Sequence, residues 1–497
     1  MQFPKFPFKI GVNGGTKLRQ LIAYFYVLIV ASSIVRLVIL VFLPSTPSSL
    51  GPDEMTYAQL AQWVAEKKSV DAFVYGPSLY NVSKTFTLPS AFLIQVGLPP
   101  LAAVRVTSML FGILSIVLFI ALCWRFLLGK NRNLNESIEF RKFVEILSLT
   151  FIFAFFPSHL LWSVIGMRET SVEFFLLLAT FLIGRVCEED FRRRYFSFNI
   201  LGVILSVTLA FGTRPESAFV FALSMSLGLS LLFYRDRDFK KLLVVSCVIA
   251  GALFGHLYSA TPKVEVQQFL VPKLLETSNP VSTQPSETSN PVSTKNINFR
   301  ERCLGQVVGF AFEIAGQRYT CAYEQRELKQ IDANKAFISE VSKVAQFEYK
   351  TRVYQLYASS ALPPIDCMDI DKFSQKIQCF FKSLTYRYLS VLIRPLPILD
   401  TESNLQILAS LENIFWLFLF LNAAKTILKR RHQLHILGVP LIIFLILYTS
   451  GMAFAEGNLG TAFRHKSTIL FVLLLLVRIN LNSGPYAKLK GLTCPRE

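Results

Sequence analysis

Long apolar runs, separated by short polar stretches, recur along most of this chain. A helix needs about 20 apolar residues to cross the ~30 Å hydrocarbon layer of a bilayer. The pattern predicts ten spans, at about 21–43, 100–124, 143–162, 168–185, 197–213, 216–234, 242–260, 405–424, 433–453 and 463–480. Residues 86–99, FTLPSAFLIQVGLP, are apolar but short and broken by proline, and are read as lying in the outer interface. The expected fold is an all-α polytopic membrane protein of about ten transmembrane helices, with outer interfacial helices and one large extracytoplasmic loop domain.

Three parts follow from this spacing. Residues 1–260 form an N-terminal membrane core of seven spans, and 405–497 a C-terminal membrane part of three spans with a cytoplasmic tail. Between them, 261–404 is an extracytoplasmic insertion. It contains a repeat, ETSNPVST at 276–283 and again at 287–294. Ser, Thr, Asn and Pro can bury little, so 276–294 is expected to be a disordered linker. Residues 300–383 are expected to be ordered, with helical patterning from ELKQIDANKAF onward.

Composition supports the membrane reading. The chain is 52% hydrophobic with a mean hydropathy of +0.45, too apolar to cover a soluble core of this size. The formal charge of +18 invites a nucleic-acid reading, but its distribution excludes one. With the N-terminus in the cytoplasm, the inner segments hold 24 Lys and Arg against 7 in the short outer segments. That asymmetry is the positive-inside rule, and it is expected to put both termini on the cytoplasmic side. The apolar stretch after the basic first residues is too long for a signal peptide and lacks a small-residue cleavage site. Cys123, Cys187, Cys247 and Cys494 are read as unpaired. Cys303, Cys321, Cys367 and Cys379 fall in the insertion and suggest two disulfides, most simply 303–321 and 367–379, with three connectivities open.

Charge at the ends of apolar spans is costly and needs a reason. On the outer side it collects in compact motifs of mixed sign. Asp53 and Glu54 follow the first span in GPDEMTYAQLA, where Tyr57 also lies, and Arg105 opens the second span. Arg168 and Glu169 occupy the turn between spans three and four, and Arg214 and Glu216 the turn between five and six. Arg394 precedes span eight, while Glu456, Arg464, His465 and Lys466 lie at the outer end of spans nine and ten. Arg36 and Glu412 lie deeper. Each has a bland alternative. Asp53 could cap a helix lying on the bilayer. Arg168 with Glu169, and Arg214 with Glu216, could be local ion pairs. Arg105 and Lys466 could snorkel to headgroups. His159 and His256 read as satisfied interior groups. The Asn-Val-Ser triplet at Asn81 is a weak glycosylation signal.

Together, acids and arginines on one membrane face suit transfer of a sugar from a polyprenyl phosphate. Departure of the lipid phosphate develops negative charge that arginines bind in a planar, bidentate manner. A carboxylate can take the acceptor's proton. GPDEMTYAQLA, with the arginine-led AAVRVTSMLFGILSIVLFIALCWRFLLG after it, resembles the GT-C superfamily of integral-membrane glycosyltransferases. The likeness is to the lipid-phosphate-sugar-dependent branch, which includes protein O-mannosyltransferases and aminoarabinose transferases. FPSHLLWSVIGMRETSVEFFLLLATFL, RPLPILDTESNLQILASLENIFWL and EGNLGTAFRHKSTILF resemble segments of related bacterial envelope proteins.

The resemblance implies an inverting glycosyltransferase with Asp53 as catalytic base and Glu54 beside it. Glu54 would support the base or, with Asp53, hold a divalent cation such as Mg or Mn; no cofactor is otherwise implied. Tyr57, Arg105, Arg168, Glu169, Arg214, Glu216, Arg394, Glu456, Arg464 and His465 are the candidates for donor or acceptor binding. The partners implied are a polyprenyl-phosphate sugar, a glycan, lipid or protein acceptor, and the bilayer itself. Three rivals remain: an O-antigen-type polymerase using a lipid-diphosphate oligosaccharide, a lipid-linked-sugar flippase or transporter, and a non-catalytic envelope scaffold. Residues 261–383 carry no such likeness.

Overall fold

Proline and glycine punctuate the helices at places where the hydropathy runs on unbroken. In the computed structural model the described residues are 14–43, 53–70, 76–128, 140–188, 195–259, 269–276, 311–314, 317–326, 373–395, 404–430, 436–455 and 459–478. The chain divides into two compact units. One comprises Met1–Thr261, Leu392–Met452 and Phe463–Glu497; the other comprises Pro262–Val391 and Ala453–Ala462.

The first unit is helical. Its elements are α1 (Gly14–Phe42), α2 (Glu54–Ala65), α3 (Gly76–Asn81), α4 (Lys84–Gln95), α5 (Pro100–Leu128), α6 (Phe140–Phe155), α7 (Pro157–Trp162), α8 (Glu169–Glu188), α9 (Phe196–Phe211), α10 (Pro215–Asp236) and α11 (Phe239–Ser259). Among the described residues six helices are long and apolar enough to cross a membrane, at Ile22–Phe42, Pro100–Arg125, Glu169–Glu188, Pro215–Asp236, Phe239–Ser259 and Ala409–Lys429. All six fall on expected spans, and the protein is a helical membrane protein. Three further expected spans carry shorter apolar helices, at Phe143–Phe155, Phe196–Phe211 and Gly438–Ala453.

The single span expected over 143–162 is two helices. Phe156 is extended, as a residue before proline prefers, and Pro157 opens α7 at its first position. The span expected over 463–480 is likewise broken, by a 3₁₀ turn at Ser467–Ile469. The proline-broken segment near residue 90 forms α4, 12 residues and so about 18 Å long at 1.5 Å per residue, too short to cross.

α8 sits at the centre. Of its apolar window 72% is buried, against 22% for α1, whose Tyr24, Tyr26, Val27, Ile34 and Val41 face outward as lipid-exposed positions do. α5 and α8 run side by side in the same direction. Thr170 Oγ1 donates to the Ser108 carbonyl at one end (3.2 Å), and Arg125 pairs with Glu188 at the other (3.0 Å). The stretch containing α6 and α7 must therefore carry the chain back across the same thickness. α9 and α11 pack closely at Gly251 and Gly255 of α11. A Cβ at Gly255 would stand 2.7 Å from the Phe211 ring, and one at Gly251 would stand 2.9 Å from the Ile204 carbonyl oxygen. Small residues four apart are what lets two apolar helices approach without a hydrophobic driving force.

After residue 391 the chain continues with α13 (Asn404–Arg430), α14 (Gly438–Ala455), α15 (Leu459–Lys466) and α16 (Leu470–Arg478). α12 (Phe373–Ile393) precedes them and lies almost wholly in the second unit. That unit also holds a sheet the sequence reading did not anticipate: β1 (Phe269–Glu276), β2 (Ala311–Ile314) and β3 (Gln317–Arg326) in the order β1-β3-β2, all antiparallel. Pro272 hides the first strand from propensity reasoning, and it is tolerated because β1 is an edge. Arg387 Nε donates to the Ala453 carbonyl within the same unit (2.7 Å). Cys123, Cys187 and Cys247 are unpaired, while Cys379 is disulfide-bonded. The remaining expected disulfide cysteines apart from Cys321 of β3, Cys494, residues 277–294 of the repeat and the helical pattern beyond Arg326 lie outside the described residues.

Candidate functional site

Asp53 and Glu54 are neighbours in sequence with opposite fates. Glu54 is the first residue of α2 and is fully buried. It accepts two hydrogen bonds from Arg105 of α5, Nε to Oε1 at 2.7 Å and Nη2 to Oε2 at 3.0 Å. Its Oε1 also accepts the Gly166 backbone N–H at 2.8 Å. Glycine suits that position: a Cβ there would come 2.5 Å from Val104 Cγ2 and 3.2 Å from Glu54 Cγ. Ser108 Oγ donates to the Met167 carbonyl and accepts the Met167 backbone N–H (3.2 Å), so α5 grips the same turn twice. Arg105 thus does not snorkel; it is buried against a carboxylate.

Asp53 stands at the N-cap position of α2 but makes no side-chain capping bond. The cap reading gives way to an ion pair, because Arg464 Nη1 donates to Asp53 Oδ2 at 3.4 Å. Arg464 belongs to α15, more than 400 residues away in sequence.

Glu169, at the N-terminus of α8, is where the remaining groups meet. Its Oε1 lies 3.0 Å from Arg464 Nε, 3.6 Å from Arg214 Nη1 and 3.8 Å from His465 Nε2. The Arg214 guanidinium is hydrogen-bonded to the His465 ring. A carboxylate at a helix N-terminus is favoured by the backbone dipoles as well.

Neither of the expected local pairs forms in that simple sense. Arg168 turns from its neighbour Glu169 and donates Nη1 to the carbonyls of Val82 (2.8 Å) and Thr213 (3.0 Å). It thereby links the α3–α4 turn to the α9–α10 turn. Arg214 reaches Glu169 on another hairpin, and Glu216 is exposed and joins no ion pair among the described residues. Tyr57 packs edge-on to Phe86 (5.7 Å between ring centres), with the Arg168 guanidinium 5.9 Å from its ring. Burial raises the Tyr57 hydroxyl above its ordinary pKa, which Arg168 opposes.

Arg394 enters through its backbone. Its carbonyl accepts Lys466 Nζ at 3.2 Å, beside a 2.7 Å bond from the same ammonium to Asn413 Oδ1. Lys466 is therefore buried rather than snorkelling. Glu456 lies outside the described residues.

A metal at the acid pair does not fit. Both Glu54 oxygens are engaged by Arg105, and among the described residues no group of three or more His, Cys, Asp or Glu could hold an ion.

Sequence reasoning missed a second charged cluster deeper in the bundle. Arg36 donates Nε to Ser163 Oγ (2.7 Å), bonds His159 Nδ1 through Nη2 (3.0 Å) and also contacts Ser32. His159 Nε2 in turn lies 3.4 Å from Glu173. Glu173 lies four residues after Glu169, hence on the same face of α8, which was the available signal.

Comparison of the chain with family models, with curated proteins and with solved structures finds no match. The functional reading therefore rests on the geometry of this helical membrane protein and on its sequence motifs.

Proposed function

We propose that this protein transfers a sugar from a polyprenyl-phosphate donor to a hydroxyl or amine of a glycan, lipid or protein at the outer face of the membrane. One observation carries the reading. Asp53, Arg464, Glu169, Arg214 and His465, drawn from segments far apart in the chain, form one continuous set of contacts at the ends of apolar helices. An exposed carboxylate stands beside partly exposed guanidinium groups, an arrangement that suits an anionic lipid phosphate.

In the proposed step Asp53 takes the proton of the acceptor group as its oxygen or nitrogen bonds to the anomeric carbon. The bond from that carbon to the phosphate oxygen breaks, and the phosphate leaves with the electron pair. Arg464 and Arg214 receive the charge that develops on it. A single displacement of this kind inverts the anomeric centre. Arg105 has a different task here: paired with Glu54, it holds α2 and hence Asp53 in place.

The test is Asp53→Asn, assayed in detergent with a synthetic polyprenyl-phosphate sugar. Removal of a general base should lower turnover by about 10²- to 10⁴-fold. Wild-type rates in that variant would eliminate Asp53 as the base. Turnover of a lipid-diphosphate oligosaccharide, without turnover of the monophosphate sugar, would favour a polymerase.

A further inference from the structure

The acid at the middle of the cluster lies behind its cations. The Glu169 side chain is 2% exposed, whereas those of Arg464, Arg214 and Asp53 are 13%, 17% and 54% exposed. Glu54 spreads one guanidinium over both of its oxygens; Glu169 does not share its load that way. Arg464, Arg214 and His465 all converge on Oε1. The other oxygen, Oε2, is buried and has no hydrogen-bond partner among the described residues.

One carboxylate oxygen thus gathers side chains from the N-cap of α10 and from α15 to the head of α8. Arg464 is held from both sides, by Glu169 behind and Asp53 in front. Within this set the guanidinium groups of Arg214 and Arg464 equal the carboxylates of Asp53 and Glu169 in number, while Arg168, next to Glu169 in the chain, turns its guanidinium to the Val82 and Thr213 carbonyls.

Resting on the transfer reading above, we infer that Glu169 is a positioning residue: a buried counter-ion that aims Arg214 and Arg464 at the lipid phosphate and tempers their hold on it. Tempering matters because binding donor and transition state equally tightly does not speed the chemical step. The spent polyprenyl phosphate must also leave the same arginines before the next turnover. Glu169 offsets part of their charge from the side away from solvent, so the phosphate meets oriented donors without their full attraction.

Two quantities separate this role from simple structural support. The probe is a fluorescent short-chain polyprenyl monophosphate, titrated into the full-length protein in detergent, alongside turnover of the sugar-bearing donor. Glu169→Gln should bind the probe about tenfold more tightly, roughly the effect of 1.4 kcal/mol, while turnover falls at least tenfold. KM and kcat then fall together. Weaker binding with lower turnover would mark Glu169 as mere support and overturn the inference.

Should Glu169→Gln fail to elute as a monodisperse species, the double variant Glu169→Gln/Arg464→Gln takes its place, since it removes one charge of each sign. Arg464→Gln alone should lose about tenfold in probe affinity, and the double variant should recover to within about threefold of wild type. A double variant as weak as Arg464→Gln overturns the inference by the same logic. Absence of probe binding to the wild-type protein would instead remove the lipid-phosphate reading itself, and with it this inference.

Discussion

Two adjacent acids could not be told apart in the sequence, and the structure gives them different work. Successive residues on a helix point about 100° apart, so when one side chain turns inward its neighbour stays near the surface. Glu54 turned in and met Arg105; Asp53 stayed out and met Arg464. The Glu54–Arg105 pair is fully enclosed, and such pairs are costly to break on one side because the remaining charge is left buried. Glu54→Gln is expected to destabilise the protein by about 3–5 kcal/mol, seen as a lower unfolding temperature in detergent. Glu66→Gln serves as the comparison: that acid pairs with Lys68 at the surface and its loss should leave the transition where it was. Equal behaviour of the two variants would show that the buried pair does not anchor α2.

At the scale of elements, hydropathy located the helices well and their breaks poorly. α5, α8, α10 and α11 fall where their apolar runs lie. The division at Phe156–Pro157 did not show, because an apolar run stays apolar through a local change of backbone; the 3₁₀ turn at Ser467–Ile469 directly follows the polar run of Arg464, His465 and Lys466. The strand β1 was missed for a related reason: Pro272 argues against a strand unless the strand is an edge, and edge position is a property of the sheet.

Close helix contact is likewise a pairwise matter. Gly251 and Gly255 are legible as a small-residue pair, but that they face Val207 and Phe211 of α9 is not. Gly255→Leu should force α9 and α11 apart and cost about 1–3 kcal/mol, as overpacking does elsewhere. Gly451→Ala, where a Cβ meets nothing within 4 Å, should not shift the same melting curve. A Gly255→Leu protein as stable as wild type would mean that the α9–α11 contact is loose.

For the whole molecule, orientation is an expectation drawn from the basic segments, and it has a direct check. Asn290→Cys, in the repeat between the membrane parts, should react with a membrane-impermeant maleimide added to intact cells, while the wild-type protein should not gain that label. Labelling confined to permeabilised cells would invert the orientation and move the acid–arginine cluster to the cytoplasmic side, where the proposed transfer would need a different donor supply.

The membrane class, the positions of most apolar helices and the identity of the charged residues at their ends were all legible in the sequence. These follow from local hydropathy, which is summed over neighbours in the chain. What the tertiary structure alone decided was partnership: Glu54 with Arg105, Glu169 with Arg464 and Arg214, Arg36 with His159 and Ser163. Few of these partners are near in sequence, and several alternatives had equally suitable charges. The choice among them depends on which helices pack side by side, and no pattern along a single helix contains that information.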